Sequence, residues 1–393
     1  MADFGIVQLL ASIAPVRRRQ IRVLQSIPAY DFGGIETLVR QIFDRIDSRF
    51  QFDFLVHDPG ANADLDHYQA KGARVIRPRT NAKANPLGYL REVRGAFLEA
   101  PERYDIFHCH AALYGTVHCA VAAWSGIPVR IAHAHSNDSD SSLDWLKAKA
   151  FLPVHKRLHT HHMACSESAA RFTFGKAPGV LILPNGIATE AFRFDRHARE
   201  HLRQEFGLGE ELAVGHTGRF CHPKNHVKVL NIFARLRTFA PNAKLLLAGD
   251  GPLMSAMQGL AADLGIARAV HFLGRRADIP QLLSAMDAFL FPSHYESFGL
   301  SPLEAHANGL PVVMADHIAG FLADGDTVTR LRLDRSDDDW ARALEAASPH
   351  RDRSGRIDAS LRSFDIATLV RNVEELYDNA LASVRSTDTP TDA

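Results

Sequence analysis

Two carboxylates, Glu296 and Glu304, lie eight residues apart in the stretch Phe291-Pro-Ser-His-Tyr-Glu-Ser-Phe-Gly-Leu-Ser-Pro-Leu-Glu-Ala-His-Ala-Asn-Gly-Leu-Pro-Val-Val313. An apolar run, Ala288–Phe291, stops at Pro292. A loop then carries Glu296, a short helix starts at Ser301-Pro302 and ends at Gly309, and Pro311-Val312-Val313 opens another strand. The backbone N–H groups of Phe298, Gly299 and Leu300 fall at the positive end of that helix, a place suited to an anion such as a phosphate. Ser301 and Glu304 also fit an S-x-x-E capping box with Pro302 in the first turn, so Glu304 alone reads as a cap as readily as a ligand. Capping leaves Glu296 unexplained.

Candidate positive partners are Arg219 and Lys224, in Gly218-Arg-Phe-Cys-His-Pro-Lys-Asn-His226 directly after an apolar strand. A guanidinium fork and a point-charge ammonium together suit a diphosphate. Asp250-Gly251-Pro252 and Gly274-Arg275-Arg276 end neighbouring strands, on the same rim, where backbone can recognise a nucleobase. A third set is four histidines, His108 and His110 on one strand, His133 and His135 on the next. Four imidazoles suit zinc, but acidic ligands and second-shell partners are not evident. The preferred role is hydrogen bonding to a polar ligand, with His135, followed by Ser136-Asn137-Asp138, as the contacting residue.

These groups need a scaffold, and the pattern supplies an α/β one. Ile35, Leu38, Val39, Ile42, Phe43 and Ile46 form one stripe at the helical period after the strand Ile21–Ile27. Strand–helix alternation continues, which predicts parallel sheets covered by helices on both faces, with ligands beyond the carboxyl ends of the strands. Asp31-Phe-Gly-Gly-Ile35 is not a nicotinamide fingerprint, though Gly33 and Gly34 permit close approach of a ligand. Pro184-Asn185-Gly186 breaks the pattern, so the domains are placed at 20–185 and 186–364. A terminal helix spans 365–384 and returns to the first domain, between a flexible leader at 1–19 and a disordered tail at 385–393.

Lysine plus arginine balance aspartate plus glutamate, 45 against 45, which argues against a dedicated nucleic-acid binder. Four cysteines without C-x-x-C spacing form no disulfide framework, so a reducing cytoplasm is expected. The apolar segment Phe4–Val16 precedes Arg17-Arg18-Arg19, the reverse of a signal peptide. Arg74, Arg77, Arg79, Lys83, Arg91 and Arg94, and later Trp145, Leu146, Phe151 and Leu152 among Lys147, Lys149, Lys156 and Arg157, suit an anionic membrane surface. A solvated basic face is the plainer reading.

Gly33-Gly34-Ile-Glu36, Arg130-Ile-Ala-His-Ala-His135, Leu183-Pro-Asn-Gly-Ile187, Gly218-Arg219 with Lys224-Asn225, Ala248-Gly-Asp-Gly-Pro252 and Glu296-x7-Glu304 occur in that order. Together they resemble the family-four retaining glycosyltransferases, notably those of exopolysaccharide and capsule assembly. The resemblance implies the GT-B architecture, two Rossmann-like doubly wound domains facing across a cleft. It also implies transfer from a nucleotide-diphosphate sugar, UDP-linked by preference, to a growing polysaccharide or lipid-linked glycan without a divalent metal or other cofactor. Arg219 and Lys224 would neutralise the donor diphosphate, Glu304 would hold the ribose, and Glu296 would face the sugar. The N–H groups of Phe298, Gly299 and Leu300 would meet sugar and phosphate, Gly34 would close on the phosphate, Arg275 would line the donor site, and His135 would contact the sugar. A sugar-nucleotide epimerase of the same fold, or a non-catalytic sugar-nucleotide-binding subunit, are the rival readings.

Overall fold

A computed structural model describes residues 19–27, 34–56, 64–80, 84–111, 115–135, 152–175, 179–318, 320–322, 327–347 and 359–387. Residues 1–18 of the predicted leader, Gly33, Lys83 and the Trp145–Phe151 cluster lie outside these residues, whereas Arg19 is described and pairs with Asp105. Seven parallel strands form the first sheet: β1 (Ile21–Ile27), β2 (Phe50–Val56), β3 (Val75–Ile76), β4 (Ile106–Cys109), β5 (Val129–Ala134), β6 (His161–Ala164) and β7 (Val180–Ile182). Their order is β3-β2-β1-β4-β5-β6-β7. Six parallel strands form the second: β8 (Ala213–Thr217), β9 (Lys244–Ala248), β10 (Val270–Gly274), β11 (Ala288–Phe291), β12 (Val312–Ala315) and β13 (Val328–Leu331), ordered β10-β9-β8-β11-β12-β13. Strand order reverses between β1 and β4 and again between β8 and β11. Those are the two places where a doubly wound sheet opens a ligand crevice.

The helices that cover the first sheet include α1 (Gly34–Phe43), α2 (Asp64–Ala70), α3 (Pro86–Leu98), α4 (Thr116–Trp124), α5 (Leu152–Leu158) and α6 (Glu167–Phe174). Around the second lie α7 (Arg196–Glu205), α8 (His226–Leu236), α9 (Met254–Asp263), α10 (Ile279–Ala285), α11 (Leu300–Ala307) and α12 (Asp337–Ala347). Central strands read as unbroken apolar runs because both faces are covered. All of β11 and β12 is buried, as is nearly all of β1.

One buried carboxylate holds the second domain's centre. Asp287, immediately before β11, accepts hydrogen bonds from Arg199 (2.6 Å) and Arg203 (3.1 Å) of α7 and from the Ala213 N–H that opens β8 (2.9 Å). Burial works to raise its pKa, but the Ala213 N–H and the two guanidinium groups outweigh it, and the net shift is downward. The two strands that end in the candidate site therefore share one electrostatic anchor.

The chain crosses between the domains twice, and the crossings hydrogen-bond to each other. Ile187 N–H donates to Phe364 and Ile366 N–H to Ile187. Gly186 eases this close approach, since a Cβ would lie a tight 3.1 Å from the Ile366 Cα. The terminal helix α13 (Ile366–Thr387) then buries Ile366, Leu369, Val370, Val373, Tyr377, Ala380 and Leu381 against the first domain's core.

Two expectations need correction, and one stretch holds more structure than its composition suggests. Helix α13 continues through Thr387, past the expected end at 384 and into the segment assigned to the tail. The sequence turns polar and charged after Val313, yet this stretch holds β13 and α12, and α12 buries Trp340, Ala341 and Leu344. Its three-aspartate start suits a helix N-terminus but dilutes the apolar pattern. The capping box does not form. Helix α11 starts at Leu300, its N-cap is Gly299 at φ 88°, and no side chain caps it. Ser301 and Glu304 sit inside the helix, so capping no longer competes for Glu304.

Candidate active site

Seven residues beyond β8, Lys224 ends a one-turn 3-10 segment, His222–Lys224. Asn225 follows in the left-handed conformation, φ 54°, the one non-glycine residue with positive φ among those described. It starts α8, accepts a hydrogen bond from Lys228 N–H, and donates from Nδ2 to the Pro292 carbonyl at 3.0 Å. The His294 N–H donates to Pro223 at 2.8 Å. The loops after β8 and β11 are thus stitched together, and their charges meet: Lys224 Nζ lies 2.5 Å from Glu296 Oε1. Lys224 also sits 5.0 Å from the Phe291 ring centroid.

Glu304, one turn into α11, faces the same lysine. It makes no side-chain hydrogen bond among the described residues, and desolvation pushes its pKa up to about 7 against the pull of Lys224. The sign of the stability effect follows. An unfolded glutamate ionises near ~4.3, whereas Glu304 keeps its proton up to about 7, so the folded state binds more protons between those values. Stability contributed by this group falls as pH rises through that window and levels off above it. Glu304→Gln is therefore expected to raise unfolding free energy at pH 8 by on the order of 1–3 kcal/mol while weakening nucleoside-diphosphate binding. Chemical denaturation with calorimetry checks both, and a variant less stable than wild type at pH 8 contradicts the assignment.

Ahead of Glu304, no described residue accepts a hydrogen bond from the N–H groups of Phe298, Gly299 or Leu300. The Phe298 side chain is buried, stacked on Phe321 at 4.3 Å. That fixes the loop so its backbone stands open at the helix N-terminus, an anion-ready arrangement. Gly34, the first residue of α1, meets the first residue of α11 across the cleft. A Cβ on Gly34 would lie 3.1 Å from Leu300 Cδ1. Two helix N-termini, one from each domain, thereby converge.

Arg219 is exposed on the Lys224 loop, directly after the point where Gly218 is gripped by the β9 loop. The Gly218 N–H donates to Ala248, and a Cβ on Gly249 (φ 144°) would lie 1.9 Å from the Gly218 oxygen. Arg275 lies on the same rim, two strands away from β8, 3.7 Å from Asp250. Asn308, at the other end of α11, is structural: its Nδ2 donates to the Phe192 carbonyl at 2.9 Å and to Ser284 at 3.1 Å.

The four histidines form one buried array in the first domain. His110 Nδ1 and His135 Nε2 are 2.9 Å apart, and His108 Nε2 and His133 Nδ1 3.2 Å. Two residues not singled out in the sequence complete it. Gln25 of β1 bridges His110 Nε2 (2.9 Å) and the Tyr377 hydroxyl (2.9 Å), and that hydroxyl contacts His108 Nδ1 (2.7 Å). Tyr377 reads in sequence as one more apolar position of the terminal helix; only its hydroxyl hints otherwise. Burial pushes His108 and His135 down to about 3 and His110 and His133 well below their usual range. All four are neutral at working pH. His108, His110 and His133 have ligand-type nitrogens within 4.8 Å of one another, but most of the facing nitrogens are engaged in the bonds above.

Residues 33–186 match the model of the glycosyl transferase 4-like domain, and residues 198–347 that of glycosyl transferases group 1. A protein named for glycosyltransferase activity, EpsF of Bacillus subtilis (strain 168), is 33% identical over 85% of this chain and 90% of its own. A Mycobacterium tuberculosis (strain ATCC 25618 / H37Rv) protein named GDP-mannose-dependent alpha-(1-6)-phosphatidylinositol monomannoside mannosyltransferase is 27% identical over 80% of this chain and 89% of its own. Among solved structures, Anabaena Alr3699/HepE in complex with UDP and glucose superposes with a TM-score of 0.77 over 92% of this chain and all of that one, at 19% identity. With two parallel-sheet domains, both domain models matched in order, and a 33% identical relative spanning most of both chains, this chain belongs to the family-four glycosyltransferases and has the GT-B fold.

Proposed function

We propose that the protein transfers a sugar, with retention and without a metal, from a nucleotide-diphosphate sugar to a hydroxyl of a polysaccharide or lipid-linked glycan. The observation that carries this reading is the Lys224–Glu296 pair (2.5 Å) beside Glu304 and the open N-terminus of α11. When the donor enters, Lys224 turns from Glu296 to the diphosphate, joined by Arg219 and the loop N–H groups. Glu296, released, accepts hydroxyls of the sugar, and Glu304 accepts those of the ribose.

A retaining enzyme with its own nucleophile needs two carboxyls about 5–5.5 Å apart around the anomeric carbon. Only Glu296 is assigned to the sugar here, so front-face transfer is the better fit. The acceptor oxygen bonds to the anomeric carbon as the carbon–phosphate-oxygen bond breaks, and the electron pair leaves with the diphosphate. The acceptor's proton passes to a phosphate oxygen. Electrostatic stabilisation of the leaving group does most of the work.

UDP is the preferred nucleotide, supported by the complex of HepE with UDP and glucose; the mycobacterial relative is named for GDP-mannose. Thermal shift across UDP- and GDP-sugars, followed by mass spectrometry of products with and without chelator, tests donor, transfer and metal independence together. Nucleoside diphosphate released only when acceptor is present separates transfer from epimerisation.

A membrane-side acceptor is supported by one surface. Leu87 and Trp124 are about 70% exposed, and Val117 and Val154 about half, on the adjoining helices α3, α4 and α5. Arg91, Lys156 and Arg157 stand on the same helices, and Arg94 lies over the Trp124 ring at 4.1 Å. Apolar tips among basic groups suit an anionic lipid surface. Among the described residues no helix is long and apolar enough to cross a membrane. Wild type is expected to sediment with vesicles containing phosphatidylglycerol, and the Trp124→Ala, Val154→Glu double variant to lose most of that binding. Equal sedimentation of the two removes this surface from the reading.

A further inference from the structure

The histidine array has a direction, and one amide sets it. Gln25 can donate only from Nε2 and accept only at Oε1. Its Nε2 points to the Tyr377 hydroxyl, so that oxygen accepts and its own proton goes to His108 Nδ1. His108 then carries its proton on Nε2 and donates to His133 Nδ1. On the other arm, Gln25 Oε1 accepts from His110 Nε2, which leaves His110 Nδ1 as the acceptor for His135 Nε2. Each of the four neutral rings carries one proton, and this arrangement gives every bridging hydrogen an acceptor. It leaves two buried ends open among the described residues, the Nε2–H of His133 as a donor and the unprotonated Nδ1 of His135 as an acceptor. A buried acceptor left open in this way costs stability unless a ligand supplies the donor.

We propose that Gln25 is a positioning residue for transfer: through His110 it holds His135 in the Nε2–H tautomer, so that Nδ1 receives a hydroxyl proton of the donor sugar in a hydrogen bond. The inference rests on the reading that His135 contacts that sugar. Tyr377 supplies the hydroxyl that accepts the Gln25 amide N–H, so docking of the terminal helix α13 is part of the same device. A reversed amide would reverse the arm to His135 and present an N–H to the sugar hydroxyl instead of a lone pair.

Side-chain 15N NMR of the full chain, with His135 assigned by a His135→Gln variant, reads the tautomer without any substrate. Wild type should show His135 protonated on Nε2. Gln25→Leu removes the acceptor and should leave His135 a tautomer mixture, with kcat/KM for transfer falling roughly tenfold while affinity for the nucleoside diphosphate alone changes less than twofold. Gln25→Glu keeps an acceptor for His110 Nε2–H and should recover most of that loss. An Nδ1-protonated His135 in wild type overturns the proposal. So does equal loss in Gln25→Leu and Gln25→Glu, or a Gln25→Leu protein whose tautomer and transfer both match wild type. Wild type that carries the stated tautomer but transfers no sugar would instead count against the functional reading.

Discussion

Lys224→Ala is expected to lower kcat/KM for sugar transfer by about 10²–10³-fold, the cost of removing one preorganised stabiliser of developing charge. Glu296→Ala should fall comparably, through the sugar rather than the phosphate. The two should not add: each variant already breaks the 2.5 Å pair, and residues acting as a unit show strong coupling in double-mutant cycles. Nucleotide affinity separates the roles. Lys224→Ala should weaken binding of the bare nucleoside diphosphate, whereas Glu296→Ala should leave it near wild type. Neither side chain is part of the apolar core, so circular dichroism and thermal midpoints should stay within a few degrees. Turnover near wild type in either variant would sink the assignment of this pair.

Asp287→Ala should produce the largest stability loss, about 3–5 kcal/mol, because removing one member of a buried ionic network leaves the others uncompensated. Arg203 is 93% buried and would lose a carboxylate partner, as would Arg199, and the Ala213 N–H would lose its acceptor. The readout is the denaturant midpoint at constant m-value. Asp287 is held below the ordinary carboxylate range, so its contribution is present above the unfolded pKa, near ~3.9, and is lost as pH falls through the folded value. The gap between wild type and variant should therefore close in acid. A loss under about 1 kcal/mol at neutral pH would mean the network is worth no more than a surface pair.

Much of the fold was legible because its signals are local. The span of β1 is the one read from its apolar run, and β11 likewise ends where Pro292 stops the pattern. The stripe from Ile35 became α1, with Leu38, Val39 and Ile42 inward. Helix α7 is not legible in the sequence because it is mostly charged: only Leu202 and Arg203 are buried, and an inward-facing arginine does not register as apolar. The S-x-x-E match misled for a related reason. A glycine able to take φ 88° one residue before Leu300 let the helix start earlier than the serine would have set it.

By itself, the sequence determined the alternation of strand and helix, the order of the motifs, and the residue types needed to hold a diphosphate and a sugar. Those features depend on backbone periodicity and side-chain chemistry, which neighbouring residues express directly. The tertiary structure decided which groups meet. Lys224 finds Glu296 across 72 positions and Gln25 finds Tyr377 across 352, contacts set by strand order and by the returning helix. It also decided the charge state of Glu304, since a carboxyl's pKa is a property of the walls around it, and those walls come from distant parts of the chain.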